Sequence, residues 1–397
     1  SEFAQAITDL GVAFIGPPPA AIVEMGDKVS SRKAALRGGA PIVPGTTEFV
    51  TTAKEIQDFG NKHGWPLAIK AAFGGGGRGM KVVKSADEVQ EAMDSAQREA
   101  KAFFGRDEIY IERYLTWPRH IEVQLVGDQH GNVVWVSTRD CSAQRRHQKL
   151  IEEAPAFDLP DGVEEAMGAA AVKAAKAVGY YNAGTVEFIF QDGDFFFLEM
   201  NTRLQVEHPV TELITGVDLV KEQILVAAGQ KLSFTQEELK INDHAIELRI
   251  CAEDPVNQFL PNVGTVETYK VPQGPGIRVD DCMESGMEIP IYYDNMLAKL
   301  IVWAPTRLEA IAKMRRAISE YVITGIETTL MFGDFVMKHP AFIEGKFDTH
   351  FIQQYFTEEQ MAPEPLEAAE AALLSAAALY FFQQSTAGNT NETAIEQ

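Results

Sequence analysis

The sequence predicts a mixed fold of the α/β (α+β) class. Short apolar runs rich in β-branched and aromatic residues alternate with longer runs rich in Ala, Glu and Lys, which are typical of strands and helices respectively. Asp192 and Gly193 lie between two apolar runs and indicate a hairpin. The 397 residues are enough for two or three domains, and 46% hydrophobic with 23% charged residues is typical of a globular protein.

The first part of the chain alternates between helices and strands. Runs of good helix formers mark the helices, and Gly38 and Gly39 end the second of them. Turn residues bound the strands. In chain order we predict a helix at 3–10, a strand at 11–16, helices at 21–37 and 52–63, strands at 66–70 and 80–83, a helix at 86–104, strands at 109–114, 120–126 and 133–136, a helix at 162–178, strands at 185–190 and 195–198, and a helix at 219–228.

After residue 244 the pattern changes to short strands separated by turns. Glycines punctuate this stretch, and one clear helix follows at 307–321. The tail carries no Lys or Arg after Lys346, and its apolar residues at 364–383 fall near one helical face, which predicts an amphipathic helix. Residues from 385 onward are polar, and we expect them to be disordered.

Net charge and cysteine content exclude several classes of protein. The formal net charge is −22 at pH 7, which argues against a nucleic-acid partner because phosphate backbones recruit surfaces rich in Lys and Arg. No apolar stretch approaches the ~20 residues that span a bilayer, so we expect no membrane association. Cys141, Cys251 and Cys282 are too few and too dispersed for a zinc site or a disulfide framework, and we expect a reducing, cytoplasmic location.

The run 199–209 carries the strongest chemical signal. It follows an apolar strand, and alternate residues of an extended chain share a face. We therefore expect two faces, with Glu199, Asn201 and Arg203 on one and Phe196, Leu198 and Met200 on the other. A face with carboxylate, amide and guanidinium groups suits a divalent cation and an anion held side by side, because hard cations take oxygen ligands and Arg matches a planar oxyanion.

A second carboxylate is expected beside this run. A three-residue hairpin loop centred on Gly193 would place Glu187 directly opposite Glu199. Two carboxylates that face each other repel, so the pairing predicts a cation between them. An ordinary hairpin with both acids in water is the alternative.

A glycine-rich segment at 74–79 joins two predicted strands and follows Lys70. Consecutive glycines let the backbone approach phosphates and present its N–H groups. The pattern is neither a P-loop nor a dinucleotide fingerprint, because it does not open a helix. It suits a mobile flap over ATP, and a flexible surface turn remains the alternative.

Two further segments combine charges in a way that suggests binding. The segment 139–149 gathers basic side chains and a His in an acidic chain, which predicts a local anion site, with a solvated basic loop as the alternative. In the strand at 244–250, Glu247 and Arg249 share a face. A buried Arg249 would need an anionic partner, either a protein carboxylate or a ligand.

Taken together, these segments resemble the biotin carboxylases of the ATP-grasp superfamily. The matching segments are Met25-Gly26-Asp27-Lys28, Lys70 with the glycine segment, Pro118-Arg119-His120-Ile121-Glu122, 139–149, 199–211, Ala252-Glu253-Asp254-Pro255 and Tyr292-Tyr293-Asp294. The likeness extends in order and spacing from residue 1 to about 356, and 139–149 and 199–211 are its most specific parts. It implies an ATP-grasp fold with a mobile glycine-rich lid and a C-terminal biotin carboxylase domain.

The resemblance implies carboxylation of the biotin of a carrier protein with ATP and bicarbonate, through carboxyphosphate. The residues implied in ATP binding are Lys28, Lys70, Gly76, Gly77, Glu112, Arg113, Leu115, His120, Gln144, His147, Glu187 and Glu199. A pair of Mg²⁺ or Mn²⁺ ions would be held by Glu187, Glu199 and Asn201, and bicarbonate by Lys149, Arg203, Gln205 and Val206. Glu207 would be the general base and Arg249 would stabilise the enolate of biotin, so that Lys149, Arg203, Glu207 and Arg249 form the catalytic set.

The resemblance also implies a division into domains. The expected parts are a remnant of an N-terminal subdomain with a linker helix (1–42), the lid (43–114), the ATP-grasp core with the metal and bicarbonate sites (115–235), the C-terminal domain (236–356) and an acidic helical tail (357–397). Only the last helix and strand of the family's first subdomain correspond to the start of this sequence, so we expect upstream residues to be missing. A Lys is common where Arg113 stands, and no biotin-accepting Met-Lys-Met occurs, so we expect the carrier to be another chain or to lie beyond Gln397.

The segments 323–329 and 347–351 resemble acetyl- and propionyl-CoA carboxylase subunits more than pyruvate carboxylase. We therefore predict the first half-reaction of an acyl-CoA carboxylase. The expected partners are a biotin carboxyl carrier protein, a second copy of the chain and the carboxyltransferase subunit. The alternatives are the biotin carboxylase subunit of a two-subunit pyruvate carboxylase, another ATP-grasp ligase of the carbamoyl-phosphate synthetase type, and a non-catalytic assembly module.

Overall fold

The computed structural model describes residues 1–73, 79–357 and 372–380. The chain divides into two compact units, Ser1–Gln354 and Tyr355–Gln397. In the second unit residues 372–380 are helical, which agrees with the predicted helix at 364–383 over that part. The rest of that helix, and the tail from 385, lie outside the described residues. Among the residues described, no helix combines the length and the apolar character that a membrane span requires.

The helices and strands follow one another from Glu2 to Tyr355. The helices are α1 (Glu2–Asp9), α2 (Pro19–Gly26), α3 (Lys28–Arg37), α4 (Ala53–His63), α5 (Val89–Phe104), α6 (Val163–Ala177), α7 (His208–Thr215), α8 (Leu219–Ala227), α9 (Arg307–Glu320), α10 (Leu330–Lys338), α11 (Pro340–Ile343) and α12 (Phe351–Tyr355), with a 3₁₀ turn at Ala86–Glu88. The longer strands are β1 (Leu67–Ala71), β2 (Met80–Val83), β3 (Ile109–Arg113), β4 (Arg119–Gly127), β5 (Val133–Arg145), β6 (Gln148–Ala154), β7 (Asn182–Gln191), β8 (Asp194–Asn201) and β9 (His244–Cys251). The remaining strands are β10 (Glu253–Asp254), β11 (Leu260–Pro261), β12 (Gly264–Thr265), β13 (Thr268–Lys270), β14 (Ile277–Asp281), β15 (Glu288–Ile289), β16 (Met296–Ala304) and β17 (Val322–Thr324).

One antiparallel sheet organises the first unit. Its eight strands run in the order β14–β16–β9–β6–β5–β4–β7–β8, so that residues distant in sequence become neighbours. Helices α3 and α6 cover an apolar cluster on one face, to which β4 contributes Ile121, Val123 and Leu125. The alternate residues of β4, Glu122 and Gln124, are also buried but project to the other face, where α7 packs.

A smaller antiparallel sheet carries the glycine-rich segment. It has the strand order β2–β1–β3 and packs on α4 and α5 around its own apolar cluster. Lys70 of β1 is opposite Met80 of β2, so the segment joins two neighbouring strands as predicted. Residues 74–78 lie outside the described part of the chain.

Two predictions for the N-terminal region are wrong. Residues 11–16 form no strand, because Gly11 adopts a positive φ of 73° and the following residues pair with no strand of the described chain. The single helix predicted at 21–37 is divided into α2 and α3. Asp27 separates them in an extended conformation and accepts the N–H of Ser30, which caps α3.

The hairpin of β7 and β8 reaches the predicted pairing by a different route. Glu187 is opposite Glu199, but the turn has two central residues, Asp192 and Gly193, both at positive φ. This is the conformation that favours Asp-Gly in a two-residue hairpin. A bulge beside Phe188 then shifts the register by one residue and restores the pairing.

The bulge also changes which side chains face the core. Phe197 and Met200 join the buried cluster under α3 and α6, whereas Leu198 lines a cavity together with Glu199. The predicted apolar face of Phe196, Leu198 and Met200 is therefore wrong. A period of two does not continue through a bulge.

Glu153 shows how the covered face of the sheet is tied to its helices. Its carboxylate accepts hydrogen bonds from Arg307 of α9 at 2.6 and 3.1 Å and lies 2.8 Å from Nε2 of His244. Burial alone would raise the pKa of Glu153, but His244 and Arg307 lower it to about 2. Arg307 also donates to carbonyl groups of Phe342 and Ile343, so this one contact set joins β6, β9, α9 and α11.

We expect Glu153→Gln to lower the free energy of unfolding by about 3 kcal/mol at neutral pH, because each pKa unit corresponds to about 1.4 kcal/mol. A depressed pKa in the folded state means that this contribution is present above the ordinary pKa of Glu and is lost as pH falls toward about 2. In urea unfolding, the difference in free energy between wild type and variant should therefore stay constant from pH 7 to about pH 5 and shrink as pH falls from about 4.5 toward 2. Glu165→Gln, on an exposed position of α6, is the matched control, and a difference that remains constant below about pH 4.5 would contradict the assignment.

Candidate active site

A row of ionisable side chains crosses the face of the main sheet that is opposite α3 and α6. Glu199 of β8 is opposite Glu187 of β7, Glu187 is opposite Glu122 of β4, and Glu122 is opposite Arg139 of β5. Opposed residues of antiparallel strands project from the same face about 5 Å apart. The strand order therefore concentrates three carboxylates at one place, and the site requires cations to balance them.

Lys149 of β6 is the central cation of this row. Its ammonium group contacts Glu122 and donates to Oε1 of Glu187 at 2.9 Å and to Oε1 of Glu207 at 2.8 Å. Burial would lower the pKa of Lys149, but the three carboxylates raise it well above the ordinary value. Glu122 in turn has a lowered pKa, because Lys149 and Arg139 outweigh the effect of burial.

Glu187 has the most partners among the three carboxylates of the row. Its Oε1 also accepts hydrogen bonds from Asn201 at 2.7 Å and Gln205 at 3.0 Å, and its Oε2 lies 3.1 Å from Nε2 of His120. His120 and Lys149 hold the pKa of Glu187 well below the ordinary value despite complete burial. Glu187 is accordingly ionised throughout the neutral range and available to a cation.

Arg139 corrects the interpretation of the basic segment 139–149. The segment is strand as far as Arg145, so the predicted strand at 133–136 continues for nine more residues. Arg139 is fully buried and donates to side-chain acceptors that belong to the protein: Glu122, Gln124, Thr185, Gln205 and Thr211. It is a structural counter-ion, whereas Gln144, His147 and Lys149 of the same segment line a cavity.

That cavity has a volume of about 690 Å³ and lies between the small sheet and the main sheet. The predicted residues that line it are Lys28, Lys70, Glu112, Arg113, Leu115, His120, Gln144, His147, Lys149, Glu187, Glu199, Asn201 and Arg203. Predicted residues Gly76 and Gly77 lie outside the described residues. Burial followed by nearby cations lowers the pKa of His147, so His147 is neutral near pH 7.

Within this cavity several cationic side chains are paired with acids. Lys70 and Arg32 both contact Glu112, and Lys28 lies 3.7 Å from Glu199. Arg203 donates to the side-chain oxygen of Asn201 at 3.2 Å. The cavity therefore presents both the cations that bind phosphates and the hard oxygen donors that bind Mg²⁺.

A second cavity of about 660 Å³ begins on the other side of Glu207 and is lined by Val206 and Arg249. Glu207 joins the two regions, because its Oε1 accepts from Lys149 and its Oε2 accepts from Arg249 at 3.0 Å. Burial and the nearby Glu122 would raise the pKa of Glu207, but Lys149 and Arg249 hold it below the ordinary value. Gln205 is buried between Arg139 and Glu187 and lines neither cavity.

Arg249 confirms that a buried arginine here needs an anionic partner. Its Nε donates to Glu152 at 2.6 Å, and a second nitrogen donates to Glu207. Both predicted kinds of partner remain compatible with this geometry, because the two contacts leave a guanidinium edge toward the second cavity that it lines. Burial would lower the pKa of Arg249, but Glu152 and Glu207 raise it.

The oxygen donors of the predicted metal set fit Mg²⁺ or Mn²⁺. Glu187, Glu199 and Asn201 supply two carboxylates and an amide oxygen from adjacent strands, the hard donor set that these ions prefer. His120, Glu122 and Glu187 also bring ligand atoms within 4.8 Å of one another. In that second group Lys149 already neutralises Glu122 and Glu187.

Sequence reasoning assigned no individual role to Glu122, Arg139, Glu152 or Glu247, which the structure places in the site or beside it, although it put Glu247 on the same face as Arg249. Polar residues alternate along β4 at 120, 122 and 124, and this was the available signal for Glu122. The other three lie on strands that meet only through the order of the main sheet.

Comparisons with known proteins agree with this geometry. A family model described as "Carbamoyl-phosphate synthase L chain, ATP binding domain" matches residues 27–235, and one described as "Biotin carboxylase C-terminal domain" matches residues 247–354. A pyruvate carboxylase subunit of Methanothermobacter thermautotrophicus is 51% identical over 345 residues, which is 87% of this chain and 70% of the relative. "Biotin carboxylase" of Nostoc sp. is 48% identical over 355 residues, which is 89% of this chain and 79% of the relative.

A solved structure with the same architecture is the biotin carboxylase domain of the Hydrogenobacter thermophilus 2-oxoglutarate carboxylase, a dimer in complex with MgADP, ADP and bicarbonate. It has a TM-score of 0.86 and 45% identity to this chain, of which it covers 89%, while 78% of its own length is covered. The predicted family and ATP-grasp fold are confirmed. The chain belongs to the biotin carboxylases, which are ligases of the ATP-grasp superfamily.

Proposed function

We propose that this chain uses ATP and bicarbonate to carboxylate the biotin of a carrier protein, through carboxyphosphate. The observation that carries the proposal is the bridge made by Glu207 between Lys149 in the first cavity and Arg249 at the second. One carboxylate thus connects the place where an anion can meet a nucleotide with the place where a weak acid can lose a proton. The lowered pKa of Glu207 keeps its carboxylate ionised near neutral pH, and an ionised carboxylate can accept a proton.

The first cavity suits ATP. We propose that Lys28, Lys70, Gln144, His120 and His147 hold its phosphates and ribose, that the chain from Glu112 to Leu115 lies against its adenine, and that Gly76 and Gly77 approach its phosphates. Mg²⁺ held by Glu187, Glu199 and Asn201 would neutralise charge on the phosphates. Lys70 would then exchange part of its contact with Glu112 for a phosphate oxygen.

The bicarbonate and biotin positions follow along the same face. We propose that Lys149, Arg203, Gln205 and Val206 bind bicarbonate. The positive charges of Lys149 and Arg203 would spread the negative charge that develops during attack on the γ-phosphate. The product of this attack, carboxyphosphate, is labile. The small sheet, as part of a lid formed by 43–114, would therefore exclude water. Arg249 would stabilise the oxyanion that forms on biotin when its ureido N–H is lost.

The same proposal assigns the rest of the chain. Residues 115–235 would be the catalytic core, 236–356 the C-terminal domain, 1–42 part of an N-terminal subdomain and 357–397 a tail. We propose a biotin carboxyl carrier protein, a second copy of this chain and the carboxyltransferase subunit as partners. Dimers occur among the solved relatives.

We propose acetyl- or propionyl-CoA as the final acceptor, on the segments 323–329 and 347–351. Relatives at 46 to 51% identity carry names with pyruvate, acyl-CoA and 2-oxoglutarate as acceptors, which agrees with an acceptor that binds a different subunit. Reconstitution with carrier and carboxyltransferase subunits of each class would test this acceptor. Transfer to pyruvate but not to either acyl-CoA would contradict it.

Phosphate release from ATP tests the proposed function. With Mg²⁺ and bicarbonate present, we expect free biotin to stimulate release and EDTA to abolish it. Bicarbonate-dependent release that responds to ammonia but not to biotin would instead indicate chemistry of the carbamoyl-phosphate synthetase type. A nucleotide-binding sample without any turnover would contradict the proposal for this chain.

A further inference from the structure

Two buried carboxyl groups beside Arg249 have no role in the reaction described above. Glu152 of β6 is directly opposite Glu247 of β9, and both residues are 0% exposed. Opposed side chains of an antiparallel pair project from the same face about 5 Å apart. We refer to Glu152 and Glu247 as the carboxyl pair.

Three of the four oxygens of the carboxyl pair lack hydrogen-bond partners among the described residues. These are Oε2 of Glu152 and both oxygens of Glu247. The remaining oxygen, Oε1 of Glu152, accepts from Arg249 at 2.6 Å. A buried carboxylate without a partner is strongly unfavourable, and two of them side by side are more so.

Apart from Arg249, the cations near the carboxyl pair are bound to other groups. The charged or titratable groups that face the pair are Arg249 and Cys251 on β9, Lys299 on β16, Lys149 on β6, Cys141 on β5 and Glu207 at the start of α7. Lys299 donates to the carbonyl of Val206 and pairs with Asp280 at 3.2 Å. Lys149 is bound to three other carboxylates. Arg249 is therefore the cation that contacts the pair within the described chain.

We propose that the carboxyl pair holds one proton between its two members, and that Glu247 thereby acts as a positioning residue for Arg249. A hydrogen bond from a protonated Glu247 to Oε2 of Glu152 satisfies two of the three unpaired oxygens. It leaves Glu152 as a singly charged partner whose Oε1 stays directed at Nε of Arg249. The role in biotin carboxylation rests on the function proposed above for Arg249.

The electrostatics of the pair agree with its geometry. Burial raises the pKa of Glu152 to about 7, although Arg249 opposes the rise. Burial and the neighbouring Glu152 raise the pKa of Glu247 well above the ordinary value. A carboxyl group whose pKa is raised in the folded state stabilises the fold less and less as pH increases from its unfolded pKa through its folded one.

Glu247→Gln tests the shared proton without relying on activity. The amide has the shape of the protonated acid but does not titrate. We therefore expect the unfolding temperature of the variant to rise relative to that of wild type as pH is raised from about 5 to about 9. Glu237→Gln, at an exposed position, should follow wild type at every pH. A difference between Glu247→Gln and wild type that does not change with pH would overturn the proposal.

A kinetic comparison tests the positioning of Arg249. We expect Glu247→Gln to retain biotin-stimulated phosphate release at neutral pH, whereas Glu247→Leu, which cannot donate to Glu152, should lower the biotin-stimulated kcat by about tenfold to a hundredfold. Biotin-independent release should be alike in both variants, because the nucleotide cavity does not include the pair. Equal biotin-stimulated rates in the two variants would overturn the positioning role. Absence of biotin stimulation in wild type would contradict the proposed function instead, and the unfolding measurement would still decide whether the proton is shared.

Discussion

Arg249→Ala should abolish biotin-stimulated phosphate release, with a loss of about 10²- to 10³-fold, while ATP binding with Mg²⁺ persists. The reason is that a fixed cation beside a developing oxyanion supplies stabilisation that water in the enlarged cavity does not replace. Arg249 lies at the second cavity and lines no part of the first, so nucleotide affinity measured by calorimetry should stay close to wild type.

Removing Arg249 also leaves the buried Glu152 without a contacting cation and Glu207 with Lys149 alone, so the loss of activity must be separated from a loss of folding. Glu152 and Glu207 both accept from this side chain. Arg249→Lys keeps one positive charge and should fold normally, yet it cannot contact both carboxylates with a planar fork. Arg315→Ala, at an exposed position of α9, is the matched control. Full biotin stimulation in a folded Arg249→Ala sample would remove Arg249 from the proposed chemistry.

Lys149→Met should have the largest effect on stability, a loss of about 3 to 5 kcal/mol at neutral pH, together with loss of bicarbonate-dependent turnover. The Lys149 side chain is 13% exposed, and its ammonium group neutralises Glu122, Glu187 and Glu207 at once. Breaking a buried ion pair from one side leaves uncompensated charge, and this accounts for the magnitude.

The pH dependence of this variant has a defined sign. Without Lys149 the pKa values of the three carboxylates rise, so the folded variant binds more protons than its unfolded chain near neutral pH. Its stability should therefore fall as pH rises, and the gap to wild type should narrow as pH is lowered from about 8 to about 5. Urea unfolding at several pH values measures this gap, with Lys221→Met on the exposed side of α8 as the control. A gap that widens toward acid would contradict the assigned role.

The parts of the site that lie close in sequence could be predicted from it. Asp192 and Gly193 mark a hairpin, and a hairpin necessarily brings Glu187 to Glu199, even though a bulge rather than a longer loop sets the register. The proposed site residues of 199–209 follow directly along the chain. Local pattern was therefore sufficient to place Glu187 and Glu199, two of the proposed metal donors, opposite each other.

The remaining contacts depend on strand order, which local patterns do not contain. Glu152 and Arg249 are 97 residues apart in sequence and meet because β6 lies between β5 and β9. Arg139 was expected to contribute to a local anion site in a basic run, but its strand places it under α7 beside Glu122. Cross-sheet neighbours of this kind require knowledge of the pairing of all eight strands.

The main sheet fixes the distance between Lys149 and Arg249. Lys149 and Arg249 are attached to β6 and β9, which are adjacent and joined by backbone hydrogen bonds. A shorter distance between Lys149 and Arg249 would require these backbone hydrogen bonds to break. The sheet therefore fixes the distance between the proposed nucleotide and biotin positions. In the proposed reaction, a small molecule formed beside Lys149 would therefore cross this face of the sheet to reach Arg249. A shift of β9 by a single residue would place Leu248 or Ile250 where Arg249 now faces the site. The strands of this sheet should therefore tolerate insertions and deletions far less than the hairpin turns do.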